Sequence, residues 1–364
     1  MKKIISLLLG LSLILGFTSF SYADADIEEG TNVKIVIDGK QGIYSSAPIY
    51  VNGSTMLPLR EVLVNLGVQN DNDHIAWNNK DKSVTVIKDS IKLYLKIGSS
   101  YALVNGVKKK LDASPVSYNG KTYIPARFVA ESFGKSVLWD SISSTVVIYN
   151  QSVRDKIWNI LYNTDNIIEN SKGYKMSGQF EIDEGHSEKY NVDFKADMQN
   201  KLIQFKGSSL IEVNDDIYER KTQTYYCKGS MYRFDSTWTK SNIEDKDLDY
   251  IIRTGELGRF LSDYDLAGLS IKDDPNSDFI VLEGDTGSTK EISQRDEICK
   301  AHRKIIINKK TLSYQESTLT IDYITSEGIK GNFTETYYGY EINGDYSVTI
   351  PQDAINTKNI FNME

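Results

Sequence analysis

Pro48-Ile49-Tyr50-Val51-Asn52-Gly53-Ser54-Thr55-Met56-Leu57-Pro58-Leu59-Arg60 returns one period later as Pro115-Val116-Ser117-Tyr118-Asn119-Gly120-Lys121-Thr122-Tyr123-Ile124-Pro125-Ala126-Arg127. Each copy runs through an apolar-periodic stretch to a glycine (Gly67, Gly134) and then to a tryptophan (Trp77, Trp139). A β-rich run follows: Ser83-Val84-Thr85-Val86-Ile87 in the first copy, Thr145-Val146-Val147-Ile148-Tyr149 in the second. Landmarks matched at a spacing of roughly 60–70 residues mean one supersecondary unit used twice.

The local chemistry predicts the shape of that unit. Asn52-Gly53 and Asn119-Gly120 supply the two positive-φ positions of a type I′ turn, so the flanking residues read as hairpins. Pro58 and Pro125 end the second strand, because proline cannot donate to a ladder, and they suit the first turn of a helix. Val62, Leu63 and Leu66, or Val129, Ala130 and Phe133, give a short helix one apolar face, and Gly67 or Gly134 stops it as a left-handed cap. Trp77 and Trp139 are expected to open a second hairpin and to cover the helix. Upstream, residues 32–40 alternate into Asp38-Gly39, another strand and turn. The first copy carries about five extra residues around Gln69–His74, an enlarged surface loop.

The pattern Asn-Gly-x-Thr-x-x-Pro-x-Arg, then Gly, Trp and a β-run, present twice, resembles the copper amine oxidase N-terminal-like domain of exported bacterial proteins. The resemblance covers about residues 31–150, with copies at about 31–90 and 91–150. It implies a peripheral stalk that holds neither copper nor a quinone, and hence surface display or envelope association without redox activity. Arg60 and Arg127 read either as ligand-binding cations or as helix-start arginines that pair with a local carboxylate or carbonyl. Trp77 and Trp139 read either as platforms for the sugars of a cell-wall polymer or as core. The structural account is the simpler one in both cases.

Ahead of this module, residues 1–23 read as a signal peptide: Lys2 and Lys3, an apolar core from Ile4 to Phe20, then Ser21-Tyr22-Ala23 before the expected cleavage point. No second apolar run follows and no cysteine lies near Ala23, so the expected mature chain is neither membrane-spanning nor lipid-anchored. The formal net charge is −8, with the excess of acid in the second half. An acidic surface repels nucleic acid, which is excluded as a partner. The two cysteines, Cys227 and Cys299, form one disulfide or remain two thiols, and their spacing excludes a CxxC motif.

After Asn150, Ser152-Val153-Arg154-Asp155 reads as a capping box opening a helix with apolar Val153, Ile157, Ile160, Leu161, Ile167 and Ile168. Strand patterns follow at residues 174–182, 189–198, 201–213, 217–226 and 230–234. A helical interlude comes at roughly 247–264, then strands at 279–283, 302–308, 313–323, 331–340 and 346–350. A long meander interrupted by helices hides its apolar face by curling over them. Met231–Lys240 with its Trp238-Thr239-Lys240, the turn Ile307–Leu312, and Tyr346-Ser347-Val348-Thr349-Ile350-Pro351 resemble the half-barrel lipoprotein-carrier-like fold over residues 151–358. That resemblance implies a concave face suited to a lipid or another apolar ligand. A filled core without a cavity is the alternative.

The fold class expected from these patterns is α+β: a duplicated β-hairpin/helix module followed by a curved antiparallel β-sheet, a half-barrel closed by helices. Chemistry is sparse. The three histidines, His74, His186 and His302, are scattered, and no Asn-Tyr-Asp/Glu cofactor site, phosphate loop, His-Glu-x-x-His or Gly-x-Ser-x-Gly occurs. Asp245, Asp247, Asp249 and Glu256 have calcium-loop spacing, but Tyr250 stands where that turn needs glycine, and helix-start acids explain the run equally. Acid pairs such as Asp215-Asp216 and Asp273-Asp274 select no glycosidase site. The expected function is therefore an exported, secreted, non-enzymatic protein of the cell envelope, with no cofactor, metal or catalytic residue. It binds an apolar small molecule, a lipid or a surface partner. A structural or adhesive protein without a cavity is the main alternative, and a hydrolase using acidic residues ranks below both.

Overall fold

The computed structural model describes residues 27–358 except 142, 185–186, 214–215, 254, 256–260, 287–296 and 345. The expected signal peptide lies outside the described residues, as do His186, Asp215 and Glu256. Among the described residues the strands form four sheets, the largest of eleven strands.

The local rules hold in both copies. Asn52 and Gly53 take φ 50° and 77°, Asn119 and Gly120 take 48° and 75°, so both hairpins turn through a left-handed pair. Helices α1 (Leu59–Asn65) and α2 (Ala126–Ser132) start directly behind Pro58 and Pro125. Gly67 and Gly134, at φ 84° and 72°, follow their ends. The hairpin strands Ser54–Pro58 and Lys121–Pro125 pair antiparallel, with Leu57 opposite Ile124. Those two residues occupy the same place in the repeat. The copies are thus related by a local two-fold through the Leu57–Ile124 pair.

The copies are not separate units, however. The closing hairpin of the first (Ile75–Asn78, Ser83–Lys88) joins a five-stranded sheet with Ile91–Lys96 and the opening hairpin of the second (Tyr101–Val104, Val107–Lys110). In return, the closing hairpin of the second copy (Ser136–Asp140, Thr145–Tyr149) joins the opening hairpin of the first (Lys34–Ile37, Lys40–Gln41). That join is a parallel pairing that sets Thr145 opposite Lys34 and Ile148 opposite Ile37. Each copy's closing hairpin thus pairs toward the other copy rather than closing on its own. The physical reason is size, because a seven-residue helix and strands of four to six residues bury too little alone. Exchange gives one shared core, in which Ile35, Leu57, Leu63 and Val84 meet Ile124, Val129, Phe133 and Val146.

Beyond Asn150, helix α3 (Gln151–Glu169) is capped by Asn150, whose side chain accepts from the amides of Ser152 and Val153, rather than by Ser152 as the sequence suggests. All neighbours in the eleven-stranded sheet pair antiparallel, and its first strand, Gly173–Asp183, pairs with its last, Lys330–Ile342, in mid-sheet. The helical interlude is resolved into α4 (Asp245–Ile252) and α5 (Asp263–Gly268), the latter with a Ser262–Asp265 capping box. The sheet curls into a half-barrel. Tyr226 and Leu282 sit on the third and tenth strands, about 30 Å apart in a flat sheet, yet belong to one apolar cluster with Ile157, Leu161, Leu248 and Leu266 of the helices. Residues 346–350 are not the expected closing strand: Val348 and Ile350 pack irregularly with Tyr225, Tyr232 and Trp238 in a separate cluster.

The two parts meet through strand Thr145–Tyr149, which is buried along its whole length. Val146 and Ile148 face the module's own core, whereas Val147 and Tyr149, with Val36, pack on Ala267 of α5. Beside this contact the turn at Gly39 meets the edge of strand Phe279–Thr286: the Asp285 amide donates to the Gly39 carbonyl (2.8 Å), and the Gln41 amide donates to Asp285 Oδ2 (2.7 Å). Side chains are missing here by necessity. A Cβ on Gly284 would lie 2.1 Å from the Gly268 carbonyl oxygen and 3.0 Å from Gly39 Cα. Gly284→Ala is therefore expected to lower stability by about 3 kcal/mol, read as a lower urea midpoint; an unchanged midpoint would show that this junction does not constrain the fold.

The pairing of Cys227 with Cys299 is not made. Five strands lie between those that carry them, whereas a disulfide needs Cα atoms within about 7 Å. Two alkyl groups per chain are expected after iodoacetamide treatment in denaturant without reductant, counted by intact mass; none would establish the bond.

Candidate functional site

The inner face of the half-barrel is built by alternation. Tyr174 and Met176, Phe194 and Ala196, and Ile203 and Phe205 point the same way from three adjacent strands and meet α3 and α4. Their rings form a ladder: Tyr174 stacks on Phe194 at 5.1 Å, and Phe194 meets Phe205 edge-on at 4.7 Å. The polar ends of the deep tyrosines are mostly matched. The Tyr174 hydroxyl donates to the Ile252 carbonyl and accepts from the Gly255 amide, both at 2.9 Å, and the Tyr314 hydroxyl donates to buried Asp165 (2.6 Å). Tyr340, whose ring lies 5.6 Å from that of Tyr314, is the exception: its hydroxyl is buried and meets no partner among the described residues. Burial, followed by the neighbouring Tyr174, Glu335 and Asp165, pushes its pKa well up, so it stays a neutral donor.

Further along the same strands the cover thins. At inner-face positions the exposure rises from Phe194, at 2%, through half-buried Val192 to Tyr190, at 39%. Phe180, Phe333 and Tyr337 are likewise only half-buried, and Phe180 and Tyr337 meet edge-on at 5.7 Å. Gly178 lies between them; a Cβ there would come within 2.9 Å of Val192 Cγ1 and 3.0 Å of Tyr337 Cδ1. The near half of the face is thus a filled core, and the far half is a shallow aromatic trough whose rings are only partly covered, with Val192 and Tyr337 closing over buried Gly178.

The residues singled out in sequence are scattered around this surface. Arg60 donates to Asn70 Oδ1 (2.9 Å) and to the Ile75 carbonyl (3.4 Å), a helix-start arginine on local acceptors, and Arg127 is exposed. Trp77 and Trp139 are not core: each sits opposite a buried valine, Val84 or Val146, at a rim, and is 43% or 39% exposed. Their strands end there, so the rings overhang the core they were expected to close. Asp245 and Asp247 stand in the first turn of α4, not in a calcium loop, and Asp249 pairs with Lys201 at 2.9 Å. His74 bonds Asp71, and His302 bonds Asp285 and Glu283. Among the described residues no cluster of three or more His, Cys, Asp or Glu side chains is arranged to hold a metal, and no helix is long and apolar enough to cross a membrane. Two hollows lie elsewhere: a cleft of about 650 Å³ in the duplicated module and one of about 460 Å³ where Lys135 and Tyr149 face Arg154 and Ile271. The trough and the cleft were not read from the sequence. Apolar residues at alternate positions of residues 174–182 and 189–198 signal an inner face, but not where its cover stops.

The exchanged two-fold module decides the one assignment the comparisons make. Residues 36–148 match the copper amine oxidase N-terminal domain family. The resemblance seen in the two Asn-Gly segments is thereby borne out. A curated protein described as a protease inhibitor, from Brevibacillus choshinensis, is 34% identical over 94 residues, and the match spans 27% of that relative's length. Similar solved structures include LprF from Mycobacterium bovis (12% identity, TM-score 0.31, covering 55% of this chain and 98% of that one) and a LolA superfamily protein from Nitrosomonas europaea (12%, 0.22, 55% and 96%). At such values the half-barrel rests on the sheet's own pairing and curvature.

The unmatched hydroxyl generates a test. Removing a buried donor that makes no bond relieves its desolvation cost, so Tyr340→Phe is expected to stabilise the fold by about 1 kcal/mol, seen as a higher melting temperature; a loss of that size would mean the hydroxyl has a partner.

Proposed function

We propose that this chain is an exported, non-catalytic binding protein of the cell envelope, in which the half-barrel takes an apolar, lipid-like ligand. The observation that carries the reading is the partly covered far half of the inner face, where Phe180 and Tyr337 are half-buried, Tyr190 is exposed, and Val192 and Tyr337 meet over Gly178. An apolar face left open on a chain with a helix-filled core next to it suits an acyl chain, which lies along the trough and completes the layer that α3 and α4 begin. The basic start and apolar run of residues 1–23 support export, and the match of residues 36–148 to the copper amine oxidase N-terminal domain family supports a holding role for the duplicated module. The domain division that goes with this is residues 31–150 and 151–358.

A structural or adhesive protein is the second reading. What favours it is the near half of the inner face, which side chains of α3, α4 and the sheet occupy. A hydrolase finds less support: among the acid pairs, Asp273 is held by Lys309 at 2.8 Å, and that lysine keeps its carboxyl below the usual range.

Fluorescence of dansyl-labelled undecanoate titrated with the protein separates the first two. Enhancement, displaced by oleate and weakened about tenfold or more by Phe180→Glu, is the expected result, since a carboxylate on that floor must be desolvated by the chain. No enhancement, or the same enhancement in the variant, would remove the apolar ligand and leave the structural reading.

A further inference from the structure

Trp77 and Trp139 offer a comparison internal to the chain. The two copies share core positions, as Leu57 and Ile124 do, but they also share a tryptophan that both leave about two-fifths exposed. A single exposed apolar side chain is ordinary; an exposed indole at equivalent places of both copies is the feature that marks these two.

At Trp77 that ring borders a cleft of about 650 Å³ made by both copies: the start of α1 from the first, the turn and strand at Ser117 to Thr122 from the second. Its floor is apolar, with Val84 and Ile97 beside the indole, and its rim is cationic, with Arg60, Lys82 and Lys121. Lys121 is matched by Glu61 at 3.3 Å. Arg60 and Lys82 are not matched by acid among the described residues: Arg60 rests on Asn70 and a carbonyl, and the Lys82 ammonium donates to Asn79 Oδ1 at 2.7 Å. Two cations held in place by neutral acceptors, on a chain of net charge −8, leave the cleft complementary to an anion.

We propose that this cleft binds an acidic saccharide, a pyranose that carries its carboxylate on the ring. The platform is one-sided. It covers a single ring face and leaves the other in water, which fits a sugar with one C–H face and a hydroxyl rim better than a fully apolar ring, which gains from cover on both sides. Ser117 and Thr122 line the same cleft and offer hydroxyls to a sugar, while the Glu61 carboxylate is already held by Ser45 and Lys121. Arg60 and Lys82 line the same cleft as the indole, so the acid belongs close to the stacked ring; a polyol phosphate chain has no ring to present. Arg60, held in place through Asn70 and the Ile75 carbonyl, and Lys82 supply the positive charge. This site is separate from the trough and stands or falls independently of it.

The test uses the full chain, with oligogalacturonate as probe, followed by calorimetry and by indole fluorescence. Binding is expected to weaken with added salt, to fall about tenfold in Trp77→Ala and in Lys82→Glu, and to be retained in Trp77→Phe more than in Trp77→Ala. Lys82→Glu alters an exposed turn and leaves the fold intact, so its loss of binding is not a loss of structure. The carboxyl-reduced, neutral oligomer is expected to bind at least tenfold more weakly. Equal binding of the neutral oligomer, equal competition by polyglycerol phosphate or by poly-glutamate, or no binding of oligogalacturonate at millimolar concentration would each overturn the proposal.

Discussion

The parallel pairing of Thr145–Tyr149 with Lys34–Ile37 brings the end of the duplicated module back to its beginning, and the rest of the architecture depends on it. Without it the second copy's closing hairpin has no partner, and the first copy's opening hairpin is a free edge. With it, one strand has both faces buried, one in the module's core and the other on α5. The polypeptide leaves this strand at Tyr149 and enters α3 two residues later. The curved sheet is therefore held at a fixed place relative to the module, by a strand that belongs to both cores and by three glycines that let backbones touch.

Much of this was legible where the cause is local. Asn-Gly turns, proline strand ends and glycine caps act within four residues, and they appear where the sequence places them. Nine of the ten strand patterns beyond Asn150 became strands because alternation is also a local signal; residues 346–350 alternate as well but have no ladder to join. Pairing was not legible. The parallel return of Thr145–Tyr149 to Lys34–Ile37 and the meeting of Gly173–Asp183 with Lys330–Ile342 join segments over a hundred residues apart, and no short-range chemistry announces them. One signal was present: Val146-Val147-Ile148-Tyr149 is continuous rather than alternating, and a continuous apolar strand is one buried twice.

The tryptophans show the same limit from the other side. Periodicity places Trp77 and Trp139 on the core-facing side of their hairpins, and that is correct, since each sits opposite a core valine. What periodicity does not contain is distance from the end of the strand. Both rings stand at the last turn of cover, so facing the core and being buried in it become different properties. The inner face of the half-barrel repeats this at larger scale: Phe194, Val192 and Tyr190 share a face and differ only in how far they lie beyond the reach of α3.

Both candidate surfaces thus arise from one geometric fact, that an apolar layer here is longer than what covers it. They differ in charge. The cleft at Trp77 is lined by Arg60 and Lys82, whereas the trough presents the half-buried rings of Phe180 and Tyr337 beside an acid, Glu335, the register partner of Phe180. The junction between the two parts is itself a contact of backbones, at Gly39, Gly268 and Gly284, where a side chain on any of the three would clash.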